Sequence, residues 1–392
     1  VSEDVLLETA MGILHLQDRQ RVALFARRDN FERFVSCQIY VPRDQYSMAL
    51  RERMQDILSD AFDGEVMAHY AQLGDSPLAR LHVIFRTTPG KIPSYDVPRL
   101  EALLIEAARS WSGRLNENLI KAHGEEVAHR LFNRYSAAFD LAFQDRFSAI
   151  AALDDIDIIE HTLDTGELGM SLYRPVGAEP DEVGFKVYNV DQAIPLSDVL
   201  PMLEDMGLRV LDEVPFHVQP LLDGERTVMI HDFGLQTRDG STVNLAAVRE
   251  KFHNAFARIW NRDIESDGFN ALVLRAGLGW REVVVLRAYC KYLRQAGIPF
   301  SQDYMEQTLS NNPGLARNIV DMFNAGFDPD IKDGAARINR IRKQLDAGLE
   351  RVVSADEDKI IRRFVNLVDS TLRTNFFQLV DGGPKPYLSI KL

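Results

Sequence analysis

Apolar residues in this chain recur first every second position and then at helical spacing, and that succession occurs twice. Val35, Cys37, Ile39 and Val41 alternate with Phe34, Ser36, Gln38 and Tyr40, the period of a half-buried strand. Pro42 lacks a backbone donor and helps to end that strand. Leu50, Met54, Ile57 and Leu58 then fall on one face of a helix. Glu65 to Leu73 and Leu81 to Thr87 are the next strand candidates, joined by Gly74-Asp75-Ser76-Pro77, a run of turn formers. Leu100, Leu103, Leu104, Ala107 and Trp111 form a second helical stripe, ending in tryptophan.

The second copy matches Val183 to Val190 (VGFKVYNV) to Phe34 to Val41 (FVSCQIYV) and is preceded by an additional strand, Leu168 to Tyr173. Ser197 is the expected N-cap for a stripe of Leu200, Leu203 and Met206, with Pro201 in the first turn and Gly207 as the stop. Arg209 to Val218 and Glu225 to Leu235 read as strands around Asp223-Gly224, and Leu245, Val248, Phe252, Phe256, Ile259 and Trp260 as a closing helix. Strand–helix–strand–strand–helix, twice, predicts an α+β fold of two ferredoxin-like units with antiparallel sheets and helices on one sheet face.

Between the copies, Glu125 to Leu163 has a helical pattern. After Trp260 strand signals nearly vanish: Val283, Leu286, Cys290 and Leu293 form a stripe ended by Gly297 and Pro299. Asn312-Pro313-Gly314 and Phe327-Asp328-Pro329 punctuate further helices, and Lys359 to Phe376 predicts a long one. Tyr387 to Leu392 alternates again and reads as a strand in need of neighbours. The expected organisation is an α/β module over 1–122, a helical connector over 123–165, a second module over 166–264, a helical domain over 265–380, and the start of a following domain over 381–392.

A chain of 392 residues allows two to three domains, and 46% hydrophobic with 26% charged residues argues against wholesale disorder. The net charge of −13 disfavours nucleic-acid phosphates as a partner, and the basic clusters Arg337 to Lys343 and Arg362-Arg363 read as solvated helix faces. Cys37 and Cys290 each sit in an apolar pattern and read as buried free thiols, which fits a reducing cytoplasm. No apolar run approaches the ~20 residues of a membrane span, and no secretory leader is visible. The chain opens at Val1 inside a helical pattern and stops in a strand pattern, so an internal piece of a larger polypeptide is expected.

Candidate chemistry is sparse. Gly277-Leu278-Gly279 is a partial dinucleotide turn with Glu282 where the third glycine belongs, and reads better as an inter-helix turn. His123 and His129 are six residues apart, whereas two histidines share a metal from one helix at i and i+4. His231 and Asp232 are neighbours in a strand and point to opposite faces. No nucleophile elbow, P-loop or paired-carboxylate pattern occurs, so no catalytic, cofactor or metal residue is assigned within the chain. Arg43-Asp44 and Asn189-Asp191 occupy the turns after the first matched strand of each copy. There Arg43 would pair with an α-carboxylate, and Asp44 or Asp191 would take an α-ammonium group. The ordinary reading is that these are turn residues.

Three stretches resemble the large-type bacterial NAD-specific glutamate dehydrogenases: RRDNFERFVSCQIYVPRDQYS (Arg27 to Ser47), WREVVVLRAYCKYLRQAGIPFSQDYMEQTL (Trp280 to Leu309) and DGGPKPYLSIKL (Asp381 to Leu392). The resemblance runs in order over essentially the whole chain. It implies that the α/β copies are the second and third ACT-type regulatory modules, followed by helical-motif domains. It also implies a parent that oxidatively deaminates L-glutamate with NAD, with its catalytic residues downstream of Leu392. The implied partners are the catalytic domain of the same polypeptide, further copies of the chain in a homo-oligomer, and an amino-acid effector. The alternative is a free-standing amino-acid sensor with a helical partner-binding region, which should not end on an unpaired strand.

Overall fold

The alternation at Phe34 to Val41 folds as strand β2 (Phe34–Pro42), and its odd residues are fully buried. The computed structural model describes residues 3–16, 21–43, 45–73, 76–221 and 226–392. The chain divides into two compact units, 1–136 with 147–153, and 137–146 with 154–392.

In the first unit, α1 (Glu3–Leu16) precedes β1 (Ala23–Arg28), β2, α2 (Met48–Phe62), β3 (Glu65–Gln72), β4 (Leu78–Arg86) and α3 (Val97–Ala108). The sheet runs β1-β2-β4-β3 with every neighbour antiparallel. Val35, Cys37 and Ile39 meet Leu50, Met54, Leu58, Phe62, Leu100 and Leu104 in its core. Ser47 caps α2 by accepting from Leu50 N at 3.1 Å. Trp111 does not end the second helix as the stripe suggested. The helix α3 stops at Ala108, and Trp111 opens α4 (Trp111–His123), capped by Ser110 and anchored by Trp111 Nε1 donating to Phe147 O at 2.9 Å. Then α5 (Glu125–Tyr135) follows, with α6 (Leu141–Arg146) and α7 (Ala151–Thr165) completing the helical connector.

The second unit repeats the order with β5 (Gly169–Tyr173), β6 (Glu182–Val190), α8 (Leu196–Asp205), β7 (Leu208–Val218), β8 (Val228–Thr237) and α9 (Leu245–Trp260), in a sheet β5-β6-β8-β7. The leading edge strand is therefore common to both copies, not an addition to the second. The sequence pattern missed β1 because Ala23–Arg28 ends in two arginines and does not alternate cleanly. With this strand, each copy is a circular permutation of the ferredoxin-like unit: the strand beside β2 or β6 comes from the N-terminal side.

The pairing of the two copies also moves by one residue. Arg43 N bonds Pro77 O at 2.9 Å and Asp191 N bonds Thr227 O at 2.8 Å, so Arg43 and Asp191 are equivalent and Val35 corresponds to Val183. A one-residue slip exchanges sheet faces, and the core residues Val183, Phe185 and Val187 fix the choice. Each edge strand even carries a bulge at the same place, leaving Met67 and Leu211 as the extra residues, 51% and 49% exposed.

Pro195, not Ser197, precedes α8, so Pro201 lies beyond the first turn and removes one intrahelical bond. Gly207 stops the helix with φ +85°. Beyond α9, a 3-10 turn (Gly268–Ala271) leads into α10 (Leu272–Arg275), α11 (Trp280–Gln295), α12 (Gln302–Asn311), α13 (Pro313–Phe327), α14 (Gly334–Leu349) and α15 (Ala355–Ser370). The last helix ends at Ser370 and does not reach Phe376. Thr371 leaves the helix, its hydroxyl within 2.8 Å of Tyr289 Oη, and Phe376 and Phe377 turn back onto Phe323. Strand β9 (Arg373–Thr374) pairs with β12 (Ile390–Lys391), and β10 (Leu379–Val380) with β11 (Gly383–Pro384) around Asp381-Gly382, both at positive φ. The strand expected over Tyr387 to Leu392 is thus two residues long and already paired, so it does not separate the two functional readings.

Candidate functional site

The turn between β6 and α8 shows what the sequence-selected residues do. Asp191 has φ +59°, and its carboxylate accepts Thr227 N at 2.9 Å and Arg226 Nε at 3.4 Å. It staples its own turn to the start of β8. Asn189 donates to Gln192 O at 3.1 Å from the helix-facing side of the sheet. In the first unit Arg43 is exposed in the equivalent turn, with Tyr46 N bonding its carbonyl at 3.3 Å, and Asp44 lies outside the described residues.

Asn189 differs from its neighbour in that it lines a cleft. A cavity of about 840 Å³ runs along β5 between α7 and α9, with His161, Gly169, Asn189, His253 and Asn254 among its walls. His253 Nε2 accepts Leu172 N at 2.9 Å, and burial pushes the ring's pKa down to about 4, so the imidazole is neutral. The cleft is polar: the amides of Asn189 and Asn254 line it together with Asp157, His161 and Glu167. Asp191 faces Arg226 and Thr227 and is not among its lining residues.

On the opposite sheet face the second unit holds a buried polar cluster that the sequence reading did not find. Asp155 on α7 accepts from Lys186 Nζ at each of its two carboxylate oxygens, at 2.8 Å, and from Tyr188 Oη. Tyr173 Oη donates to Asp232 Oδ1 at 2.7 Å, and Arg146 Nε to Asp232 Oδ2 at 2.9 Å. The Lys186 ammonium stands 5.3 Å from the Phe143 ring and 5.4 Å from the Tyr173 ring. Burial raises the carboxyl pKa of Asp155 and Asp232 against the pull of these cations, and it raises the Tyr188 and Tyr173 phenols. Each acid is matched by a cation and a phenol. The arrangement fixes α6 and α7 to the sheet. Lysine and tyrosine at Lys186 and Tyr188, on alternate positions of an apolar strand, were the available sequence signal.

The remaining motifs resolve structurally. His231 on β8 sits 2.7 Å from Glu213 and accepts Ile194 N, while Asp232 faces the other way. His123 ends α4 and His129 lies in α5 beyond the break at Gly124. Among the described residues no His, Cys, Asp and Glu side chains gather as a metal site, and no helix is long and apolar enough to cross a membrane. Gly277 has φ +60° and its carbonyl accepts from Lys251 and Arg317, while Glu282 caps Gly279 N at 2.8 Å. This is an inter-helix turn.

Two permuted ferredoxin-like units with intervening and following helices define a protein of ACT-type modules and helical motifs. Residues 23–112 match the glutamate dehydrogenase ACT2 domain, 118–161 helical motif 2, 167–248 the ACT3 domain and 264–329 helical motif 3. Residues 344–392 match the bacterial NAD-glutamate dehydrogenase catalytic domain. The chain is 39% identical over 388 residues to the NAD-specific glutamate dehydrogenase of Halomonas elongata, covering 99% of this chain and 24% of that protein. The corresponding enzymes of Pseudomonas aeruginosa and Mycobacterium tuberculosis are 33% and 36% identical, over 99% and 100% of this chain and 24% and 25% of theirs. The chain belongs to the bacterial NAD-specific glutamate dehydrogenase family, and it spans about a quarter of the length of the curated relatives it matches.

Proposed function

We propose that this chain is the regulatory and scaffolding segment of an enzyme that converts L-glutamate, NAD and water to 2-oxoglutarate, ammonia and NADH. The observation that carries this reading is the order of the matched regions, ACT2, helical motif 2, ACT3 and helical motif 3, leading into residues matched to a catalytic domain. The buried polar groups of the second unit pair with one another and tie α6 and α7 to the sheet, which fits a scaffolding role. NAD then belongs to the catalytic part of the whole protein. The partners of this segment are that catalytic domain and further copies of the chain.

An amino-acid effector would enter the cleft beside β5, where Asn189 and Asn254 supply amide donors and acceptors. The turn residues Arg43 and Asp191 would shape the two modules instead of gripping one ligand together. The test is a pair of assays. The 392-residue chain alone should form no NADH from glutamate and NAD, while the longer protein containing it should do so at a rate that amino acids alter. An Asn189→Leu variant of the longer protein should keep the basal rate and lose the amino-acid response. NADH formation proportional to the amount of the chain alone, or an unchanged response in the variant, would sink the respective half of the reading.

A further inference from the structure

A second cleft, of about 260 Å³, opens between the first turns of α11 and the segment from Phe376 to Leu388. Its walls include the aromatic rings of Trp280, Phe376 and Tyr387. Its charges do not balance. Glu265 is taken by Lys291 and Arg287, Asp263 by Arg258 at 2.8 Å, and Arg287 is itself clamped by Asp267 at 2.6 and 2.8 Å. Two cations are left over. Among the described residues neither the Arg281 guanidinium nor the Lys385 ammonium forms an ion pair or hydrogen bond. Arg281 stacks on Phe376 at 4.5 Å and lies 6.0 Å from the Trp280 ring, and Lys385 stands 5.9 Å from Tyr387.

Half-burying a guanidinium without a carboxylate is costly, and burial accordingly lowers the Arg281 pKa. Stacking on aromatic faces offsets part of that cost but gives the five N–H donors no acceptor among the described residues. In a chain of net charge −13, which supplies carboxylates freely elsewhere, two such cations facing one aromatic cleft call for an anion from outside. The volume lies just below the usual range of ligand sites, which restricts an occupant to about a single ring with one charged group.

We propose that this cleft binds a small organic anion, its flat body against Trp280 and Phe376 and its carboxylate or phosphate held by Arg281 and Lys385. The guanidinium fork matches either head group with two parallel hydrogen bonds, and the lysine adds a point charge. The site is separate from the cleft beside β5 and does not depend on an amino acid binding there.

The experiment titrates the 392-residue chain with four probes, following binding heat and the part of the tryptophan fluorescence that a Trp280→Phe variant loses. Benzoate and phenyl phosphate carry both ring and charge, benzyl alcohol only the ring, and inorganic phosphate only the charge. At least one of the first two should saturate below about 20 mM, with benzyl alcohol and inorganic phosphate each at least about tenfold weaker. The better of the two identifies the head group. Arg281→Met, which keeps the stacked stem, and Lys385→Met, in the half-buried segment after β11, should each weaken binding by about tenfold or more while circular dichroism stays unchanged. Equal affinity for benzyl alcohol, equal affinity for inorganic phosphate, no saturation by either ring-bearing anion, or unchanged affinity in both folded variants would overturn the proposal.

Discussion

The ring of Tyr173 lies across the backbone of Gly184, its partner on the neighbouring strand, so closely that a Cβ at Gly184 would overlap the ring. That placement lets Tyr173 Oη reach Asp232 at 2.7 Å. Gly184 in turn pairs with Gly234, where a Cβ would strike the Asp212 carboxylate. At Gly169 a Cβ would stand 2.7 Å from Ile158 Cγ2 on α7. Glycines on adjacent strands thus clear one face of the second sheet for a helix and its polar contacts, the usual reason for glycine within a strand.

Gly184→Ala should therefore destabilise the second unit by about 1–3 kcal/mol, the cost of forcing an extra carbon into a packed site. Urea unfolding followed by circular dichroism measures it. Adding Tyr173→Leu, which removes the clashing ring end, should recover part of the loss. A single variant as stable as the parent chain would show that the ring has free space.

Asp155 and Lys186 make a sharper case, because both are buried and each is the other's charge partner. Asp155→Ala leaves an uncompensated ammonium and should cost about 3–5 kcal/mol. Replacing both, as Asp155→Leu with Lys186→Met, should cost less than the single change, since no charge is then stranded. A double variant that loses the sum of the two single losses would contradict this account.

The fold was legible where the hydrophobic period was clean. Val35, Cys37 and Ile39 alternate without interruption, and the stripes at Leu50 and Val248 bury the faces they predict. β1 was not, because its pairing with β2 is made by the backbone and Arg27 and Arg28 hide the strand. The pairing of the copies moves by one residue because Phe34 and Val183 are both apolar, and only burial tells one sheet face from the other. Of the polar cluster, only Lys186 and Tyr188 left a trace in the sequence, as polar groups on alternate positions of an apolar strand. Their partners Asp155 and Asp232 are distant in sequence, and nothing marks them as partners until α7 is laid on the sheet. Asn189 was selected for its place in a turn and does line a cleft, whereas Asp191 was selected for the same reason and serves the turn.

The thiols give a chemical readout of two separate cores. Cys37 and Cys290 are both fully buried and free, and burial pushes each thiol up to about 12. Neither should react with a disulfide reagent at pH 8 in the folded chain, and both should react in urea. Because Cys37 belongs to the first unit and Cys290 to the second, the order in which they become reactive along a urea gradient reports which unit opens first. Prompt reaction of either thiol in buffer would mean that its core is not closed.

His253 predicts how acid acts on the second unit. Its ring accepts Leu172 N at 2.9 Å, and burial, with Arg249 adding to it, lowers its pKa from 6.5 to about 4. The unfolded chain therefore binds a proton between pH 6.5 and 4 that the folded chain refuses. For a base with a depressed folded pKa, the contribution to stability is complete above pH 6.5 and is lost as the pH falls towards 4. It should amount to about 2–3 kcal/mol between pH 7 and 4.5, superimposed on the titration of every other group. His253→Gln keeps an acceptor for Leu172 N and removes the proton. The variant should lose less stability on acidification than the parent chain by that amount, measured as the difference between two urea midpoint series. Parallel pH profiles for the two proteins would show that His253 takes up its proton equally in the folded and the unfolded chain, and the bond from Leu172 N would then need another explanation.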